Sequence, residues 1–454
     1  MTGDPDAFSE KFPDARHDTK GRIYMVVNNY KQSRLKLDIR GVRISLEEIL
    51  FYTGLILWVS QFYISRTSFA EFYDGGFLTA VRYFCMLLFA VKIVITEKSA
   101  AVKAAAVFLV SAAVFVVVQF HINTGMPLIQ VLLLVYAARE VSFKKTCKVL
   151  LWTCLILWSV PILFHTIGIH QMPREVDNQR VREFLNYQYV SFSSIYFINI
   201  LFCTLYAYTD HDREGRGGTY AMRRTVPWSV LFMMAVLLMW IYEVTDTSLP
   251  FAVSMLCIAA YVVIFKFRLP VLNNTWVNRL LSVSFFPLMA AVNIAMTIKY
   301  DSRNALHKKI DDMTHFRISL AHQGYKNYGI NLLGNQIVEN TNRAKGRYFY
   351  IDSGYIKTLI GYGAIVFIIV LIMYSVMLYA AIIERDRMLA VWLICIALYS
   401  VFNNLLLSPS ENGTLFALWY SIDLIKWNRH KKKTRKTGTG RRGTRKQIEY
   451  GTQS

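Results

Sequence analysis

Residues 104–118 read AAAVFLVSAAVFVVV, fifteen positions without a charge. With its neighbours, Ala101 to Phe120, this run reaches the length needed to cross a hydrocarbon core of about 30 Å. It is one of many. The chain has 454 residues, of which 54% are hydrophobic and only 18% charged, well below the roughly 25% of a soluble domain. Long apolar blocks on this scale are the signature of membrane helices. They exclude a soluble enzyme and a DNA-binding protein. The net charge of +21 would otherwise suggest nucleic acid. It must be read first as membrane topology.

Working outward from that run, the hydropathy pattern predicts an all-α polytopic membrane protein with about twelve transmembrane helices. They fall near Glu48–Ser65, Phe77–Thr96, Ala101–Phe120, Gly125–Ala138, Lys148–Ile169, Tyr189–Tyr208, Thr225–Tyr242, Pro250–Phe267, Val277–Ile298, Tyr355–Ile383, Met388–Leu407 and Gly413–Ile425. Ser45-Leu-Glu-Glu48 reads as a capping box at the start of the first, and Pro161 predicts a kink in the fifth. Three regions follow: a polar segment 1–44, a membrane domain 45–426 with a large external loop 299–352, and a basic tail 427–454. Residues before Met25 read either as a disordered leader or as lying ahead of the true start. The first apolar run begins near Ile49, too late for a cleavable signal peptide.

Charge supports this count. With a cytoplasmic amino terminus, the short inner loops carry Arg139, Lys144 and Lys145, then Arg213, Arg216, Arg223 and Arg224, then Lys266, Arg268 and Arg279, then Arg385 and Arg387. The short outer loops 121–124, 244–248 and 408–412 hold no Lys or Arg. This is the positive-inside pattern. It puts the carboxy terminus inside too, with eleven basic residues between Lys426 and Lys446. That tail lacks anything to bury and is expected to be disordered. It is either a solvated topogenic tail or a contact for anionic lipid. The six cysteines fall in or beside apolar runs and are expected to be small buried residues, not a disulfide framework.

Two outer segments break the neutral pattern. Residues 168–188 contain Arg174, Arg180 and Arg182. Residues 299–352 carry nine Lys and Arg, among them Arg317 and Arg347. A loop that long inside a bundle is functional or disordered. Ile318, Leu320, Tyr325, Tyr328, Ile330, Leu332, Leu333, Phe349 and Ile351 give it something to bury, which predicts order. Ile318, Ala321, Tyr325 and Tyr328 recur on one helical face, and Gly329 suits the end of that helix. Guanidinium forks bind phosphate oxygens and aromatic faces stack on sugars. The outer face is therefore where chemistry is expected. His307, His315 and His322 are not at ligand spacing, so no metal and no cofactor are expected. No Gly-rich nucleotide loop indicates an ATP-driven pump. Within the apolar runs, Lys92 can snorkel. Arg82 either faces a cavity or snorkels to the headgroups.

The outer loop also carries a resemblance. Arg317-Ile-Ser-Leu-Ala-His322, Asn327-Tyr-Gly329, Leu332-Leu-Gly334-Asn335, Tyr350-Ile-Asp352-Ser-Gly-Tyr355 and Gly361-Tyr-Gly363 follow in that order just before a late helix. This stretch resembles the Wzy-type polymerases of bacterial capsule and exopolysaccharide. Arg43-Ile-Ser-Leu-Glu-Glu-Ile-Leu-Phe-Tyr52 looks like the opening of such proteins from Gram-positive bacteria. Val181-Arg182 with Leu185-Asn-Tyr187 is similar to the family's second outer element, with Asn186 where Gly is usual and Tyr189-Val-Ser191 where many relatives have His-Pro-Asn; in the large loop Ala321 stands for Gly and Leu333 for Phe.

The resemblance implies a metal-independent, inverting membrane glycosyltransferase of the GT-C type in the bacterial cytoplasmic membrane. Such an enzyme transfers the growing glycan from undecaprenyl diphosphate onto the next lipid-linked repeat unit. Its partners would be that lipid-linked oligosaccharide, membrane lipids, and the flippase and chain-length regulator of the same pathway, with no nucleic acid. Under it, Arg317 and then Arg182 stabilise the diphosphate leaving group. Asp352 and His322 are the candidates to take the acceptor proton. Arg180, Tyr325, Arg347, Tyr350 and Tyr355 are candidates for substrate binding. His322 lies about 500° around a regular helix from Arg317, so the two should face different ways. Asp352 has a second reading, as the cap of the next helix, and Tyr350 and Tyr355 have one as interfacial anchors. A ligase-like transferase with another acceptor, and a flippase or exporter of lipid-linked oligosaccharide, are the alternatives. An ordered arginine loop on one face favours an enzyme.

Overall fold

The computed structural model describes residues 23–24, 36–39, 42–73, 75–97, 99, 102, 125–169, 175–177, 180–210, 224–340 and 348–436. Nearly all of the third expected span, and Arg347, lie outside them. The protein is mostly helical, and the chain forms two compact units divided between Ile49 and Leu50.

The first unit holds β1 (Ile23–Tyr24), β2 (Lys36–Ile39) and β3 (Val42–Ser45), an antiparallel sheet in which Leu37 faces Ile44 and Asp38 faces Arg43. The sequence reading did not foresee these strands. The capping box is present: the Glu48 N–H donates to Ser45 Oγ at 3.2 Å and the Ser45 N–H to Glu48 Oε2 at 3.3 Å. It starts α1 (Leu46–Ile64).

The second unit holds the remaining helices. They are α2 (Gly75–Thr96), α3 (Gly125–Ala137), α4 (Phe143–Thr166), α5 (Phe192–Ala207), α6 (Trp228–Thr245), α7 (Ser248–Tyr261, prolonged by a π turn to Lys266), α8 (Trp276–Ile298), α9 (Ala305–Met313), α10 (Arg317–Tyr328), α11 (Gly354–Lys357), α12 (Gly363–Ile383), α13 (Arg387–Tyr399) and α14 (Ala417–Lys436). Six described stretches are long and apolar enough to cross a membrane: 75–96, 143–166, 228–245, 248–266, 276–298 and 354–383. Residues 127–137, 192–207 and 387–399 are shorter apolar helices. Among the described residues, length and composition support these six as full spans. α1 is long enough, but Glu47, Glu48 and Gln61 dilute its hydropathy. The eleventh expected span ends at Tyr399, and residues 400–412 leave the helix while staying largely buried.

α5 is the centre of the bundle, with every residue from Ser193 to Ala207 buried. It packs on α4, α6, α7 and α13, while α12 packs on α8, α13 and α14. The core between them is aromatic: Trp392 lies 5.2 Å from Phe202 and 6.1 Å from Phe143, centroid to centroid. All six cysteines are buried and free. α4 continues through Pro161. The last helix continues to Lys436, past Trp427, where an unstructured tail was expected to begin.

Residues 354–383 form no continuous helix. After α11 comes a π turn, Thr358–Tyr362, and then Gly363 at φ 90°. The break would strand backbone groups, which is costly in an apolar medium. Residues 331–335 satisfy them. Asn335 donates to the Ile360 carbonyl through Nδ2 (3.0 Å) and to the Gly361 carbonyl through its N–H (3.3 Å). The N–H groups of Ala364 and Ile365 donate to the carbonyls of Asn331 (3.0 Å) and Leu332 (3.3 Å). The approach requires glycine on both sides: a Cβ on Gly334 would meet the Gly361 carbonyl, and one on Gly363 the Leu332 carbonyl.

Candidate functional site

The loop between α8 and α11 is ordered by a small core of its own. Ala321, Phe349, Ile351, Ile356 and Ile360 pack together, with Leu320, Tyr325 and Tyr328 at the edge. This explains the order expected from composition, although Ile330, Leu332 and Leu333 are exposed. Gly329 ends α10 as expected, its N–H donating to the Tyr325 carbonyl.

Arg317 is the first residue of α10, and its position depends on a buried carboxylate. Phe316 sits at φ 62° and supplies no side-chain cap. Asp311, 2% exposed, caps the helix from α9 instead. Its Oδ1 accepts the N–H groups of Ile318 (3.1 Å) and Ser319 (2.9 Å), and its Oδ2 accepts the Tyr300 hydroxyl (3.0 Å). An anion at a helix start is favourable on both hydrogen-bonding and dipole grounds. Held in this way, Arg317 donates from Nη1 to the Phe402 carbonyl at 2.6 Å, and its Nε lies 3.8 Å from Asp352 Oδ2. No other hydrogen bond engages the guanidinium among the described residues, so most of its fork remains for a ligand.

Asp352 does not cap the next helix. Ser353 does, accepting the Ile356 N–H at 3.3 Å while donating to Asn293 Oδ1 at 2.6 Å. Asn293 in turn donates to the Val401 carbonyl, and the Gly354 N–H donates to the Ser400 carbonyl at 2.9 Å. Asp352 is thus free to face Arg317, on a backbone pinned to α8 and to the end of α13. Burial raises its carboxyl above the ordinary carboxylate range, Arg317 and Lys357 oppose that rise, and Glu339 adds to it.

Four more charges belong to the same neighbourhood. Lys357 pairs with Glu339 (2.8 and 2.9 Å) and lies over the Tyr350 ring at 4.2 Å. Glu339 also accepts the Ile351 N–H. Glu411, 8% exposed, sits in the buried segment after α13 and accepts the Ser408 hydroxyl at 2.7 Å. Burial raises its carboxyl, and Arg66, the Ser408 bond and Lys357 oppose that. Arg66, just past α1, lies over the rings of Phe62 (5.0 Å) and Phe192 (4.8 Å). Tyr348, whose phenol is raised by burial, Tyr189 and Asp352, and lowered by Arg317, lines the same place. Three cations and three carboxylates therefore converge where α1, α5, α10, α11 and α13 begin or end.

The remaining expected residues lie elsewhere. Arg182 is engaged by Asp246, with Nη2 on its carbonyl (3.4 Å) and Nε 3.8 Å from its carboxylate. It belongs to a hairpin, β4 (Glu175–Asp177) and β5 (Arg180–Arg182), in which Glu175 faces Arg182 and Asp177 faces Arg180. His322 donates from Nδ1 to the Thr297 carbonyl of α8 at 2.7 Å. Tyr325 packs on the loop's core, and Tyr350 lies in the charged cluster. Tyr355 is fully buried, with its hydroxyl donating to the Ala397 carbonyl at 3.0 Å. It is a packing residue and offers no surface to a substrate. Asn186, the departure from Gly, sits at φ 61° and donates to the Pro161 carbonyl. Asn is the side chain that best tolerates that region after Gly.

Sequence reasoning missed Arg66, Glu339, Lys357 and Glu411. Lys357 was detectable as a charge inside an apolar run, and Glu411 as a lone carboxylate between two. Among the described residues no group of three or more His, Cys, Asp or Glu side chains could hold a metal ion. No protein-family model matches the chain, and neither a curated protein nor a solved structure matches it.

Proposed function

We propose that the chain is a membrane glycosyltransferase that polymerises lipid-linked oligosaccharide at the outer face of the bacterial cytoplasmic membrane, both termini being cytoplasmic. The observation that carries this reading is the Arg317–Asp352 pair, 3.8 Å apart, at the mouth of a helical membrane bundle. Each partner has a distinct role. As the bond between the sugar's anomeric carbon and the diphosphate oxygen breaks, negative charge grows on the leaving group. Arg317 keeps a largely unengaged fork for it, preorganised by Asp311. The acceptor hydroxyl attacks from the opposite side and forms the new glycosidic bond, with inversion. Its proton passes to Asp352, whose raised affinity for a proton suits a base. Lys357 and Arg66 limit the repulsion that the Glu339 and Glu411 carboxylates would exert on an anionic substrate.

The test is reconstitution in liposomes with a defined undecaprenyl-diphosphate-linked repeat unit. A ladder of longer products is expected, with and without a chelator. No lengthening by a folded, correctly inserted protein refutes the reading. Arg317→Lys should lose about a hundredfold or more in rate at normal protein level, since lysine lacks the bidentate fork.

A further inference from the structure

The geometry points to a phosphate site within the bilayer, formed by Arg82 and Gln61 and open to a membrane lipid from the side. Arg82 lies seven residues into α2, on the order of 10 Å along the axis from Gly75. Its Nε donates to Gln61 Oε1 of α1 at 3.4 Å. That is the guanidinium's sole partner among the described residues, and it is neutral. The chain that follows α2 cannot supply a carboxylate, because the sequence has no Asp or Glu between Glu97 and Glu140. Gln61 is itself 4% exposed, and no bond engages its amide nitrogen among the described residues. An arginine at membrane depth with no counter-ion is costly, and such residues mark ligand paths.

The packing leaves this pair accessible. α1 and α2 touch near their other ends, where the rings of Phe51 and Phe89 are 6.2 Å apart and Phe89 lies against Gly54. In the first half of α2 none of residues 75–84 is buried. Arg82 can therefore be approached along the flank of α2. Arg66 follows Gln61 by five residues, beyond the end of α1, where it lies over the Phe62 and Phe192 rings and interacts with Glu411. The donors at Arg82 and Gln61, and then Arg66, mark a route for a lipid phosphate from the bilayer toward the Arg317–Asp352 pair. The phosphate could belong to an ordinary anionic phospholipid or to a polyprenyl diphosphate. Only the second depends on the function proposed above.

The experiment uses the full-length protein in phosphatidylcholine nanodiscs and measures binding of undecaprenyl diphosphate and, separately, of phosphatidylglycerol. Arg82→Gln should weaken undecaprenyl diphosphate binding at least tenfold, and Arg82→Lys by less, with the melting temperature of both variants unchanged. A loss confined to phosphatidylglycerol also supports the phosphate site but assigns it to structural lipid. Unchanged binding of both lipids by Arg82→Gln overturns the site, and Arg82 is then only a snorkelling side chain. If the unaltered protein binds undecaprenyl diphosphate no better than phosphatidylglycerol, the polymerase reading fails, whatever the variants do.

Discussion

At the scale of single residues, the decisive finding is which side chain caps a helix. Asp352-Ser353 before an apolar run can place either residue at the cap, and the sequence does not choose. Ser353 takes the cap and Asp352 turns to Arg317. That orientation makes the carboxylate available and raises its proton affinity. The proposed base must be ionised, so the rate should fall as pH drops through its raised pKa. The acid limb of the pH–rate profile should therefore lie above about 3.9, the usual aspartate value. Glu339 contributes to the rise. Glu339→Gln removes that repulsion and releases Lys357, so it should move the limb to lower pH. A limb that stays in place in Glu339→Gln would detach the profile from Asp352. Asn186 teaches a related lesson. It holds a left-handed backbone that Gly would also adopt, so the two residues are interchangeable there for a physical reason.

At the scale of elements, the break in residues 354–383 matters most. Hydropathy reads this stretch as one long span, because the π turn and the Gly363 kink are as apolar as the helix around them. Gly334 reads as a turn residue in sequence, but its contact with the backbone at Gly361 and Gly363 is visible only in three dimensions. Adding a Cβ at Gly363 costs a positive-φ backbone penalty of roughly 1–3 kcal/mol and forces Leu332 away. Gly363→Ala should lower the melting temperature by several degrees and abolish product. Gly75→Ala, where a Cβ meets nothing within 4 Å, should leave both unchanged. Equal effects in the two variants would remove the special role of the break. By the same logic α10 was legible from its periodicity and from Gly329. Its bounds, Arg317 to Tyr328, were legible too, but its cap was not, since the capping carboxylate, Asp311, belongs to another helix.

At the scale of the whole molecule, the proposed orientation places most of the +21 charge on the cytoplasmic side. The proposed orientation can be measured, because the native cysteines are buried and should label poorly. A Lys308→Cys variant should react with an impermeant thiol reagent in intact cells, and Lys145→Cys only after permeabilisation. The reverse pattern would invert the chain and place the Arg317–Asp352 pair on the wrong face for polymerisation. The sequence by itself determined the membrane class, most helix positions and the helix Arg317–Tyr328. These follow from hydropathy, charge and periodicity, which are properties of neighbouring residues. Only the tertiary structure decided that Arg66, Glu339, Lys357 and Glu411 share a neighbourhood with Arg317 and Asp352, and that Arg182, His322 and Tyr355 are engaged elsewhere. The reason is physical. A charge removed from water must find a partner, and in a bundle that partner sits on another helix, tens or hundreds of residues away.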